Sequence, residues 1–166
     1  MTVTMRRSTS SLVILLGLAA GAFRAAPVLA QAPNPIQTQD TNIKDVVAEL
    51  MECKREEGVL TVRLRFRNTN KTQHKVIKFI TRDNSDKDTY DAYYVTAGSK
   101  KYFVLRDTEK KPLAPQTNAY GGVLEVTIEK DGSYVWWAKY PAPPADVKKV
   151  NYYTPMTPPF DNVPIS

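Results

Sequence analysis

The chain has 166 residues, 42% of them hydrophobic, which suits one packed core and is short for two. Of its 23 Lys and Arg, three (Arg6, Arg7 and Arg24) fall in the first 30 residues, leaving 20 bases against 17 acids in the remainder. So small an excess, spread along the chain, is ordinary surface charge and sets nucleic acid aside as a partner. Cys53 is the single cysteine, which excludes an intramolecular disulfide and a thiolate metal cluster. It is expected as a small buried apolar residue, with pairing between chains or a reactive thiol as the alternatives.

Met1 to Ala30 has the three parts of an export signal peptide: Arg6 and Arg7, the apolar run Leu12 to Phe23, and Val28-Leu29-Ala30 before Gln31. The run falls short of the roughly 20 apolar residues that span a bilayer, and Arg24 ends it. Cleavage is expected after Ala30, with Ala22 the second choice, and no cysteine follows either site to carry a lipid. The mature chain is therefore expected to be exported, periplasmic or extracellular, without a transmembrane anchor. Residues 31–42 are rich in Pro, Gln, Thr and Asn without periodicity and are expected to be a flexible leader. The folded domain is expected over 43–166.

Ile43 to Lys54 fits a helical stripe about as well as a strand. The turn chemistry that follows, ending in Gly58, favours a strand paired with the next element. That element, Val59 to Asn68, alternates strictly: Leu60, Val62, Leu64 and Phe66 share one face, and Thr61, Arg63, Arg65 and Arg67 the other. Lys75 to Thr81 is a further β-prone run. The following loop carries Asp83, Asp86, Asp88 and Asp91, and clustered oxygens raise calcium as a weak possibility. A helix-loop-helix calcium site needs Gly sixth and Glu twelfth, however, and counting from Asp83 those places hold Asp88 and Tyr94. Tyr93 to Thr96 and Lys101 to Arg106 read as strands joined through Ala97-Gly98-Ser99. Lys130-Asp131-Gly132 reads as a hairpin joining Val123–Ile128 to Tyr134–Tyr140. Prolines 141, 143 and 144 end that strand, Val147 to Tyr153 supplies another, and Thr154 to Ser166 is expected to run along the surface with Phe160 and Val163 tucked in. Seven or eight short strands without a long helix predict an all-β chain, an antiparallel β-sandwich.

Four stretches carry a family resemblance: GVLTVRLRFRN (58–68), AYYVTAGSKKYFVLRD (92–107), WWAKYPAPP (136–144) and PPFDNVPIS (158–166). Together they resemble a bacterial exported domain family, and the similarity covers Ile43 to Ser166. Its members are immunoglobulin-like sandwiches, stand-alone or, in some bacteria, beside outer-membrane-protein-A-like domains, and generally lack an assigned biochemical function. The resemblance implies an immunoglobulin-like fold and a strand at Ile43 to Lys54. No peptidoglycan-binding domain accompanies the match, so no cell-wall role is implied.

No chemistry of an enzyme is legible. His74, the only histidine, lies in a polar turn without a nucleophile motif, and one His with one distant Cys falls short of a zinc site. Gly121-Gly122 is too little glycine for a phosphate loop. No catalytic residue, cofactor or firm metal site is expected. Two binding surfaces are expected instead. Arg63, Arg65 and Arg67 would stand about 7 Å apart on one sheet face, facing an anionic ligand or paired with acids such as Glu125 or Glu129. Trp136 and Trp137 must point to opposite faces. Tyr134, Trp136, Ala138 and Tyr140 look core-like, which leaves Trp137 beside Val135 and Lys139 as a stacking platform. The expected function is a non-catalytic interaction or structural domain of the cell envelope, engaging an envelope protein or glycan. The alternative is a carbohydrate- or anionic-lipid-binding module using these tryptophans and arginines.

Overall fold

A computed structural model describes residues 34–80, 90–116 and 122–166. The expected signal peptide with both cleavage sites, and Asp83, Asp86 and Asp88, lie outside the described residues. In chain order the strands are β1 (Gln37–Asp40), β2 (Val46–Glu56), β3 (Val59–Asn68), β4 (Lys75–Ile80), β5 (Tyr94–Ala97), β6 (Lys100–Phe103), β7 (Val123–Ile128), β8 (Ser133–Pro141), β9 (Lys149–Tyr153) and β10 (Phe160–Pro164), with a 3-10 turn at Tyr90–Ala92. All pairings are antiparallel. The sheets run β1-β2-β3-β8, β10-β9-β5-β6 and β4-β7.

β3 adopts the expected bounds and faces: Leu60, Val62, Leu64 and Phe66 are buried, while Arg63 is exposed. The ambiguous segment before it is a strand. Glu56 pairs with Val59, so only Glu57 and Gly58 form the turn, at φ 48° and 78°. Two positive φ values are what a tight hairpin needs to match strand twist, and Gly58 takes the larger at no steric cost. The Lys54–Glu56 stretch expected in the turn extends the strand instead.

Three expectations are corrected. Gln37–Asp40 lies in the stretch expected to be a flexible leader, yet forms β1 on the edge of β2. No apolar alternation marks it. It is held by backbone pairing and by the Gln37 and Gln39 side-chain amides, which donate to the carbonyls of Asp161 and Pro159 at 2.7 and 3.0 Å. The tail likewise contributes a strand: β10 pairs with β9 and buries Phe160 and Val163, and Ser166 exchanges backbone bonds with Cys53 and Arg55 at 3.0 and 2.9 Å. Finally, the Asp131-Gly132 turn does not close a hairpin. β7 pairs with β4 and β8 with β3, so the chain reverses at Glu129–Gly132 while passing from one sheet to another. Turn chemistry specifies the reversal and leaves the partner of each strand to packing.

The three sheets share one core. Phe66 meets Phe79 edge-on at 5.1 Å, joining β3 to β4. Trp136 stacks on Tyr93 at 5.2 Å and approaches Tyr152 at 6.3 Å, joining β8 to the β5 side and to β9. The indole N–H of Trp136 and the hydroxyl of Tyr93 are buried without a hydrogen-bond partner among the described residues, while the Tyr140 and Tyr152 hydroxyls are buried against each other. Asn68 does the opposite. Fully buried at the end of β3, its amide donates to the carbonyls of Gln73, Glu129 and Ile128 at 2.8, 3.0 and 3.3 Å, and its oxygen accepts from Asn70 N–H at 2.9 Å. One side chain thus ties β3, the following turn and the end of β7 together.

Asn68→Ala strands those carbonyls and is expected to lower the free energy of unfolding by about 1–3 kcal/mol, read from the denaturant midpoint. Burial pushes the Cys53 thiol from 9.0 up to about 12, and raises the Tyr93, Tyr140 and Tyr152 phenols above 10.0. These groups hold protons when folded that they lose when unfolded. Their stabilisation is therefore complete below about pH 9 and disappears as the pH rises through the folded-state values. Alkaline titration should release the tyrosinate absorbance of these residues together with loss of circular dichroism. Complete tyrosine ionisation with the dichroism intact would contradict this.

Candidate functional site

The candidate site is the outer face of β2, β3 and β8, and strand register builds it. Thr61, Arg63 and Arg65 on β3 lie opposite Lys139, Trp137 and Val135 on β8. Directly opposed residues on antiparallel strands share a face with Cβ atoms about 5 Å apart, so an indole and a guanidinium stand side by side. Trp137 is 36% exposed and Val135 51%, whereas Trp136 is fully buried. Trp136, one of the two candidate ligand tryptophans, is therefore a core residue: its ring is taken up by Tyr93 and Tyr152.

The arginine row has partners, and they are not the expected ones. Arg65 and Arg67 both donate through Nε to the two carboxylate oxygens of Glu49, the second at 3.0 Å, and Arg63 Nε lies 3.5 Å from Glu52. Glu125 pairs with Lys78 instead, because β7 belongs with β4 and not beside β3. Glu49 and Glu52 are three residues apart, which strict alternation would place on opposite faces. A β-bulge between Leu50 and Glu52 inserts Met51 as the extra residue, so that Glu49 pairs with Arg65 and Glu52 with Arg63. Nothing in the sequence marks that bulge, and Glu49 was missed for that reason. Its side chain is only 5% exposed, clamped between two guanidinium groups.

Two shallow depressions adjoin on this face. One, of about 220 Å³, is lined by Thr61, Arg63, Trp137 and Lys139; the other, of about 260 Å³, by Met51, Glu52, Arg63, Arg65 and Val135. Arg63 borders both and is the most exposed arginine of the row. An aromatic face flanked by a guanidinium, an ammonium and a hydroxyl can stack on a ring's C–H surface and hold a carboxylate beside it.

A second aromatic group, absent from the expectations, lies on the other large sheet. Tyr94 stacks on Tyr153 at 4.6 Å, meets Phe103 at 6.2 Å and carries the Lys101 ammonium 4.4 Å from its ring centre. Tyr94 is thus covered by its own neighbours, while Phe103 is 45% exposed. Of the aspartates weighed for calcium, Asp91 alone is described, exposed on the 3-10 turn, and His74 is also exposed. Among the described residues no three His, Cys, Asp or Glu side chains converge to hold a metal ion, and no helix is long and apolar enough to cross a membrane. Comparison with protein-family models, with curated proteins and with solved structures finds no match to this chain.

Glu49→Gln removes the charge that both arginines share. It should lower stability by about 1.5–3 kcal/mol, the range for hydrogen bonds to charged groups, whereas Arg67→Ala, at the exposed end, should cost less. Equal midpoints for wild type and Glu49→Gln in denaturant would show that the clamp contributes nothing.

Proposed function

We propose that this chain is a non-catalytic exported interaction domain, an immunoglobulin-like β-sandwich that engages another component of the cell envelope or its surroundings through the outer face of β3 and β8. Trp137 carries this reading: an indole held 36% exposed on a sheet face, bordered by Arg63, Lys139 and Thr61. Large aromatics in a small domain are mostly covered, and one left open on a regular strand is a recurrent anchor for partners. Antiparallel sheets around a single core support the sandwich architecture, and the N-terminal sequence pattern supports export.

Within that function, a saccharide-binding role is favoured by the depression at Trp137, where a ring surface and two cationic side chains converge. An acidic sugar fits this chemistry best. Anionic lipid fits less well, because Glu49 and Glu52 offset most of the charge of the arginine row.

Titration with a polyuronate is expected to shift tryptophan emission saturably, through Trp137, since Trp136 is sealed in the core. Trp137→Ala and Arg63→Ala should each abolish the response. Undiminished polyuronate binding by both variants would rule out this face. No response to any saccharide, with Trp137-dependent capture of an envelope protein, would favour a protein ligand.

A further inference from the structure

Register places the acids Asp40, Glu49, Glu52 and Glu56 on the outer face of the first sheet, together with the bases Lys54, Arg63, Arg65, Arg67 and Lys139. Taken whole the face is nearly neutral, so net charge selects no ligand. Position does. Glu49 is held by Arg65 and Arg67, and Lys54 pairs with Glu56 at 3.1 Å. Asp40 lies on β1, three strands and about 14 Å from β8. The charges that remain are Glu52, Arg63 and Lys139. Arg63 faces Glu52 at 3.5 Å but makes none of the hydrogen bonds that fix Arg65 and Arg67, and Lys139 has no acidic partner among the described residues.

These three charges are divided unequally between the two depressions. The one at Trp137 is bordered by Arg63 and Lys139 and by no acid. The one at Val135 is bordered by two guanidinium groups, each facing an acid, and the carboxylate of Glu52 lines it, 31% exposed. Its other walls, Met51 and Val135, are apolar, and the bulge is what brings Met51 there. The depressions meet at Arg63, and Trp137 and Val135 are alternate residues of β8, about 7 Å apart. At about 220 and 260 Å³ each falls below the roughly 300 Å³ of a drug-sized pocket and suits a single sugar ring. Lys139 is also fixed in place: its carbonyl accepts from Leu105 N–H at 2.8 Å and its N–H donates to the Leu113 carbonyl at 3.0 Å.

Resting on the saccharide reading above, we infer that this face selects a glycan in which a uronic acid adjoins an N-acetylamino sugar, with Lys139 holding the carboxylate and Glu52 setting the identity of the neighbouring sugar. The uronate ring stacks its C–H surface on Trp137, and its carboxylate reaches the Lys139 ammonium and the remaining guanidinium nitrogens of Arg63. The next ring lies over the second depression. There the acetyl methyl group covers Met51 and Val135, and the acetamido N–H donates to the Glu52 carboxylate. A second carboxylate at that position would meet Glu52, so a uronate at every residue is rejected by like charge. A chain with no carboxylate leaves Lys139 without a partner. Selectivity thus comes from one attraction and one repulsion on adjacent sites.

The test titrates the full chain with three oligosaccharides of equal length, read by tryptophan emission: alternating glucuronate and N-acetylglucosamine, galacturonate throughout, and N-acetylglucosamine throughout. The alternating chain is expected to bind about tenfold or more tightly than either of the others. Glu52→Gln keeps an oxygen to accept the acetamido N–H and removes the charge, so it should narrow the preference over galacturonate to about threefold or less. Lys139→Ala should weaken both acidic chains about tenfold and leave the neutral one unchanged. Both side chains lie on the outer face, and an unchanged thermal midpoint shows that each variant is folded. Equal affinity for the alternating and galacturonate chains, or a preference that Glu52→Gln does not move, would overturn this inference and leave the saccharide reading standing. No response to any of the three would remove both.

Discussion

The register of β3 between β2 and β8 is the constraint from which the rest follows. A strand whose apolar and polar residues alternate cannot slip by one position without turning its whole apolar set to water. Leu60, Val62, Leu64 and Phe66, all essentially inaccessible, fix that choice. Once it is fixed, Arg63 must lie opposite Trp137 and Arg65 opposite Val135, and the outer face is assembled by the same burial that assembles the core. Asn68 then anchors the far end of β3 to the turn after it and to β7, which sets where the small β4-β7 sheet meets the larger one.

The polar groups are treated in two contrasting ways. On the outer face, the Met51 bulge brings Glu49 and Glu52 to the same side, and each acid meets an arginine, so a row of three like charges becomes a nearly balanced network. In the core, Trp136 and Tyr93 place polar atoms away from water without a partner among the described residues. Each orphaned group costs stability that packing must offset. The stacked and edge-on contacts of Trp136, Tyr93, Tyr140 and Tyr152 supply part of that packing. Burying these rings is worth more than satisfying their hydroxyls.

β8 links structure to the proposed activity in two directions. Its inner residues, Trp136, Ala138 and Tyr140, are sealed in the core, which makes the strand rigid. Rigidity lets Val135 and Trp137, the alternate residues, be presented without ordering on contact, and so reduces the entropic cost of binding.

Much of the fold was legible in the residues alone: the bounds and faces of β3, the division of Trp136 from Trp137, the positions of most strands and the burial of Cys53 all follow from period-two patterning and turn chemistry. β1 and β10 were not legible as strands, because glutamine and proline carry little apolar alternation and both strands exist through pairing with distant segments. The Arg row and Trp137 were visible; Glu49 and the bulge that aims it were not. Sequence determines what is local: which residues alternate, where the chain reverses, which side chains can share a face. Which strands become neighbours, and hence which acid neutralises which arginine, is decided only when segments far apart in the chain compete to cover the same apolar surface.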